Sequence, residues 1–320
     1  MLTYRLSDDD VAHVRFAISP LGEMGLSLRA LRAPERLPGH RALVREMTAG
    51  LSSRHRGVLV SLVDEDLRTP DFLNPCPAVP VSTFEDDLSG LRDLAPDVFL
   101  HDLVAASPRR ACAVVQPDGG EHQRLVCDAL ESYWHTGFGR VWPQLRGVLE
   151  SDVTFRALSI ARAGLATTLR GLSDQIGYSS STLRLAVKDP RSCSIDTSGH
   201  GVTLVPTLFS TRVSAPIDVT RAPMLLYPSR GRGSLSAPPA GARDSRLDAL
   251  IGSRKSEMLQ ALLEPSTTTE LAGRLGVTPS AVSQQLAVLA RAGLVRRSRF
   301  GRRVLYTRSE LGELLLDRCR

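Results

Sequence analysis

Apolar positions recur along most of the chain at spacings of three and four, the mark of helices that bury one face, and yield to alternation in only a few places. Toward the carboxyl end Leu271 and Leu275 lie four apart, and Val282, Leu286 and Leu289 follow at spacings of four and three. Each set fixes the buried stripe of a helix, and Gly276 between them predicts a left-handed residue that closes the first. Thr278 is placed to cap the second helix, with Pro279 in its first turn, where a missing N–H costs nothing. With that stripe turned inward, Ser280, Ser283 and Gln284 face outward, and Ala281 and Gln285 flank them. Residues 294–298 and 303–307 are short β-prone runs, joined by a tight turn at Phe300-Gly301.

The first 227 residues pattern mainly as helix. Residues 11–18 alternate enough for an opening strand, residues 20–31 and 42–51 carry helical spacing, and Thr83 is the cap of a further helix. The longest helical stretch begins near Glu121, runs through Trp134, breaks at Gly137 and Gly139 and resumes at Pro143. Residues 182–187, 193–196, 201–208 and 224–227 turn to β, and Thr197-Ser-Gly-His-Gly predicts a hairpin turn between the middle two. The implied fold class is α+β, mainly helical. It comprises an amino-terminal helical domain with a small antiparallel sheet over 1–227, a linker rich in Pro, Gly and Ser over 228–242, and a winged helix-turn-helix over 243–320.

Charge sharpens this division. Residues 243–320 hold 14 Lys+Arg against 8 Asp+Glu, while residues 1–242 hold 26 of each, so the whole net charge of +6 sits in the last quarter. Arg296, Arg297, Arg299, Arg302 and Arg303 decorate the hairpin, which is too small to bury them and suits a phosphate backbone or a minor groove. A Ser/Gln face has a use in a major groove, because Gln can bond N6 and N7 of adenine together and Ser can donate or accept. Taken singly, a basic hairpin is also an ordinary solvated surface, and a helix-turn-helix pattern is a common chance match. Their contiguity is what points to double-stranded DNA.

Residues 246–263 as a first helix, TTTELAGRLGVTPSAVSQQLAVLARAGLV as helix-turn-helix, RRSRFGRRVLYT as wing and residues 310–317 as a closing helix resemble the winged-helix domain of ArsR/SmtB-type bacterial transcriptional regulators. The resemblance implies a DNA-binding regulator, a repressor by expectation, acting as a homodimer on a near-palindromic operator. It adds Thr268, Thr269 and Thr278 at helix N-termini to the expected DNA contacts. It also makes Leu247, Leu250, Ile251, Leu311, Leu314 and Leu315 dimer contacts, or equally the domain's own core, as for Met258 and Leu262. Metal-sensing members place cysteines where this chain has Glu270-Leu271-Ala272, and the closing helix offers only Glu313, Asp317 and Cys319, so no metal and no cofactor are expected. Segments such as PDFLNPCPAVPVSTFEDDL resemble long actinobacterial members that carry an uncharacterised helical domain before the winged helix.

The remaining chemistry is sparse. No run of about 18 apolar residues predicts a membrane span, and the start, MLTYRLSDDD, lacks a secretory profile. Cysteines 76, 112, 127, 193 and 319 show no CxxC spacing, which suits a reducing cytoplasm, with nucleoid association when DNA is bound. His101-Asp102 and Cys112 with Cys127 are the candidates for catalysis, but no hydrolase, zinc-protease or nucleotide-binding motif accompanies them, so no enzyme is expected. Asp8-Asp9-Asp10 and Asp86-Asp87 read as surface charge. Tyr133, Trp134, Phe138 and Trp142 group four aromatics within ten residues, as the lining of a ligand pocket or as plain core. The reading that joins these expectations is a homodimeric regulator whose front domain answers to a small-molecule effector or a partner. Its rivals are a winged helix used for protein contacts and an enzyme with a DNA-binding tail.

Overall fold

The computed structural model describes residues 1–36, 41–107, 119–187, 193–197, 199–231, 245–262, 266–300 and 303–319. The chain divides into two compact units, Met1–Ser236 and Ala237–Arg320. In the front unit β1 (Leu2–Arg5), α1 (Asp8–Ala12) and β2 (Arg15–Phe16) precede a run of helices: α2 (Pro20–Arg32), α3 (Arg41–Thr48), α4 (Ser53–Ser61), α5 (Phe84–Arg92), α6 (Pro96–Ala106), α7 (Gly119–Tyr133), α8 (Gly139–Ala163) and α9 (Leu165–Arg170). Strands β3 (Ile176–Ser179), β4 (Thr182–Leu185), β5 (Cys193–Asp196), β6 (Thr203–Thr207) and β7 (Met224–Pro228) follow.

The strands make two sheets. One has the order β3-β4-β1-β5, antiparallel except for the β1/β5 edge, and the other, β2-β6-β7, is parallel throughout. The expected hairpin across residues 197–201 is therefore overturned, because β5 and β6 lie in different sheets. Thr197 instead donates to the Arg5 carbonyl at 2.9 Å, and the Gly201 N–H goes to Asp10. The opening strand expected over residues 11–18 shrinks to Arg15–Phe16. Ahead of it Ser7 and Asp10 form a reciprocal capping box that starts a helix at Asp8. A hairpin that sequence did not reveal joins β3 to β4 through Ser180 and Ser181, both with left-handed φ, where Asn-Gly would have been the usual signal. Pro228, expected to open the linker, ends β7, and Ser229 donates its N–H to Thr207 at 2.8 Å. The linker from residue 232 onward, Cys112 and Arg302 lie outside the described residues.

Helix α2 forms as its spacing predicts, with Ser19 capping it and Pro20 in its first turn, yet it is buried nearly all round. Leu21, Met24 and Leu28 are fully enclosed in the helical core with Leu130, Leu145 and Leu149. The break expected at Gly137 and Gly139 does not occur. Trp134–Phe138 make a turn of π-helix that links α7 to α8, and Pro143 sits inside α8. Gly137 serves a close approach instead: a methyl group there would overlap the Met47 carbonyl at the end of α3. Tyr133 and Phe138 are enclosed, Trp142 is nearly so, and Trp134 stacks on Phe84 with centroids 4.3 Å apart. These four aromatics pack within the helical core of the front unit, with Trp134 half-buried against it.

Carboxylates read as surface charge turn inward. Asp10 is fully buried, and Asp87 accepts from Ser19 at 2.7 Å, Ser82 at 3.0 Å and the Leu21 N–H at 3.3 Å. Glu23, buried on α2, accepts from the Leu208 N–H at 2.8 Å. Burial pushes its carboxyl up to about 7, against opposing hydrogen bonds from Leu208 and Thr207 and the nearby charge of Arg29. The unfolded chain releases this proton near 4.5, so the folded state binds more protons between the two values and loses stability as pH rises through that window. The stability of wild type relative to Glu23→Gln should therefore fall by about 3 kcal/mol from about pH 4 to about pH 8. Urea denaturation of both chains across that range measures it, and a flat difference would place Glu23 in water.

Candidate nucleic-acid interface

The carboxyl-terminal unit runs α10 (Ser245–Ile251), α11 (Ser253–Ala261), α12 (Thr268–Leu275), α13 (Pro279–Arg291), β8 (Val295–Phe300), β9 (Arg303–Arg308) and α14 (Glu310–Cys319). The single first helix expected over 246–263 is two helices, parted at Gly252, whose φ of 84° is left-handed. A capping box opens α12: Thr267 Oγ1 accepts from the Glu270 N–H at 3.3 Å, and Glu270 accepts from the Thr267 N–H at 2.8 Å. Thr268 and Thr269 follow in the first turn, with Thr269 exposed. Gly276 closes the helix at φ 62°, ψ 33°. Thr278 then caps α13, accepting from the Ala281 N–H at 3.4 Å, so its hydroxyl already has a structural use.

Val282, Leu286 and Leu289 are buried against Leu247, Leu259, Leu271 and Tyr306. That anchorage turns Ser280, Ser283 and Gln284 to solvent and leaves Ala281 and Gln285 half-buried at the margins, as the spacing predicts. The result is a row of short polar side chains on the first two turns of a helix, able to donate and accept at base edges.

The wing is an antiparallel ladder from Val295↔Arg308 to Phe300↔Arg303. Arg296 and Arg297 are exposed on successive positions and so point to opposite faces of the ribbon. Arg299 and Arg303 occupy the distal register, opposite Val304 and Phe300. A third strand position escaped the sequence reading. Ser266 exchanges both backbone hydrogen bonds with Tyr306, at 3.0 and 2.9 Å, and pins the root of the wing to the segment that leads into α12. A one-residue bridge leaves no periodicity to find.

Arg308 also escaped it. Its guanidinium donates to the Leu259 carbonyl at 2.7 Å and the Gln260 carbonyl at 2.6 Å at the end of α11, and it meets Glu313 at 3.4 Å. This arginine satisfies carbonyls that the helix end leaves open.

Of the residues expected at a dimer contact, Leu247 is buried in the domain core, as are Met258 and Leu262, while Ile251 and Leu315 are half-buried against it. Leu250, Leu311 and Leu314 are 63%, 55% and 54% exposed, on helices α10 and α14, which pack together. In the front unit His101 is exposed, but Asp102 is buried and bonded to Arg221 at 2.6 Å, and burial pushes the Cys127 thiol up to about 11. Among the described residues no group of three or more His, Cys, Asp and Glu is placed to hold a metal, and no helix is long and apolar enough to cross a membrane.

Residues 252–297 match a family model described as bacterial regulatory protein, arsR family, and the match covers α11, the helix-turn-helix and the start of the wing. No curated protein and no solved structure matches the chain.

The two kinds of arginine should separate by experiment. Arg308→Met removes charge-assisted bonds to two carbonyls and should cost about 2–3 kcal/mol of stability, while Arg296→Ala on the exposed ribbon should change it by under about 0.5 kcal/mol. Thermal denaturation of the two variants checks this, and equal losses would mean that Arg308 is as solvated as Arg296.

Proposed function

We propose that this chain, whose carboxyl-terminal unit is an ArsR-type DNA-binding domain, is a homodimeric transcriptional repressor that reads a near-palindromic operator and answers to a signal received by its front unit. The observation that carries the reading is the solvent-facing Ser280, Ser283 and Gln284 row beside a wing that exposes Arg296 and Arg297. The first supplies base-edge chemistry, and the second supplies sequence-independent attraction to phosphate. The exposed Leu250, Leu311 and Leu314 support pairing with a second copy, because exposed apolar groups on two packed helices gain most from mutual burial. Such a pair would set two recognition helices about one DNA turn apart, roughly 34 Å. Occupying the operator excludes other proteins from the same grooves, which is repression in its simplest form.

Regulation further requires a ligand or partner that binds the DNA-competent and incompetent states unequally. The placement of Asp102 in an ion pair and the raised Cys127 thiol favour a regulator over an enzyme, since neither group is poised as base or nucleophile. The cytoplasm, where the DNA lies, is the compartment this function needs.

Titration of DNA from the gene's own upstream region against random DNA at several salt concentrations tests the proposal. Joint Arg296→Ala and Arg297→Ala should weaken binding to every sequence and flatten the salt slope by up to about two units. Gln284→Ala should cost about 1–3 kcal/mol on the cognate site and little on random DNA. Equal losses on both would remove Gln284 from base reading. Leu311→Glu with Leu314→Glu should yield monomers in sedimentation equilibrium and sharply lower operator affinity, and an unaltered dimer would move the interface elsewhere.

A further inference from the structure

A cavity of about 410 Å³ opens in the front unit between α2, residues 66–74 and residues 209–219. This volume falls in the range of small-molecule sites, about 300–1,000 Å³. Phe209, Val213, Leu26 and Leu226 give it an apolar wall. The polar side has a different character. Thr69 Oγ1 accepts from Arg29 Nη2 at 3.4 Å and from Asn74 Nδ2 at 3.3 Å, so one hydroxyl brings a guanidinium and an amide together at the cavity. Ser214, held by two backbone hydrogen bonds to Leu226, lies on the same lining.

After these bonds are made, Arg29 Nε, Asn74 Oδ1 and Ser214 Oγ are shut off from bulk solvent with no hydrogen-bond partner among the described residues. Buried polar atoms are nearly always satisfied, and three unpartnered ones on residues that line one cavity point to a polar ligand there. Arg29 has no carboxylate within ion-pair distance among the described residues. Burial lowers it to about 10, against the nearby charges of Asp64 and Glu23, which leaves it charged at neutral pH, and Glu23 is itself pushed up to about 7. Asp66 and Asp71 also line the cavity, and Asp71 is already bonded to the N–H groups of Ile217 and Asp218. Arg68 and Arg212 line the cavity as well, so its three arginines against two carboxylates leave one positive charge over, which suits a single negative charge on the ligand. Taken together, these groups call for one negative charge at Arg29, one donor at Asn74 and an apolar body.

We propose that this cavity is an effector site for a small amphipathic monocarboxylate, its carboxylate at the Arg29 guanidinium, a hydroxyl or amide donor at the Asn74 side chain and its apolar part against Phe209 and Leu226. The proposal rests on the reading of the front unit as a ligand-responsive module, and deepens it.

Calorimetric titration of the full chain with 3-hydroxyoctanoate, octanoate, octan-1-ol and octyl phosphate tests it. The hydroxy acid should bind once per chain, with octan-1-ol at least about tenfold weaker, as the loss of one charge-assisted bond entails. Arg29→Met should erase the advantage of acid over alcohol while leaving alcohol binding intact, and Asn74→Leu should erase that of hydroxy acid over plain acid. The hydroxy acid should also shift the affinity for upstream DNA by at least about fivefold, the lower end of allosteric coupling. Equal binding of acid and alcohol by wild type would overturn the anion site without recourse to any variant, and preference for octyl phosphate would overturn the monoanion. Binding that leaves DNA affinity unchanged would overturn the effector role. No saturable binding of any probe by a chain that still selects its upstream DNA would defeat the cavity proposal and leave the regulator standing. Probe binding without DNA selection would defeat the regulator instead.

Discussion

Carboxylates carried into the interior, each answered by backbone N–H groups from a distant part of the chain, hold the front unit together. Glu23 on α2 receives the Leu208 N–H beyond β6, and Asp10 receives that of Gly201 before it. Asp71 receives Ile217 and Asp218, while Asp152 on α8 takes the Tyr227 hydroxyl at 2.7 Å and the Arg230 N–H at 3.0 Å on either side of the end of β7. Parallel strands must leave their sheet through loops whose N–H groups have lost their ladder partners, and a buried loop cannot borrow water. A carboxylate that accepts two such donors repays part of its own desolvation and fixes the loop to a helix. Without these ties the apolar faces of β6 and β7 would still favour burial, but nothing would set where their loops dock.

That dependence explains what the sequence could and could not tell. Asp10 and Asp87 stand in runs of acid at helix starts, and nothing local distinguishes a carboxylate that reaches inward from one that solvates. The partition of β5 and β6 between sheets is equally invisible, since alternation identifies a strand without naming its neighbour. A two-residue strand such as Arg15–Phe16 has no period at all. Gly137 looked like a helix break because glycine usually is one; its reason lies 90 residues away at Met47, where two helices touch.

The carboxyl-terminal unit was legible for the opposite reason. Its stop at Gly276, its cap at Thr278 and the stripe of Val282, Leu286 and Leu289 are all decided within a few residues, and local chemistry of that kind survives in the sequence. What escaped were the break at Gly252 and the two long-range contacts that hold the module in shape, Ser266 against Tyr306 and Arg308 against the end of α11. Arg308 is a caution about counting positive charge: within one hairpin, some guanidiniums face outward and one is spent on carbonyl groups.

The aromatic cluster has a use that its packing alone does not suggest. Trp134 and Trp142 are the only tryptophans of the chain, and both belong to the helical core of the front unit. Trp134 is stacked on Phe84 and tilted against Trp142 at 6.3 Å, so its emission is sensitive to small shifts among α5, α7 and α8. The DNA-binding unit contributes no indole. Intrinsic tryptophan fluorescence therefore watches the front unit alone, and a change in emission on adding DNA would carry news from the unit that holds no helix-turn-helix.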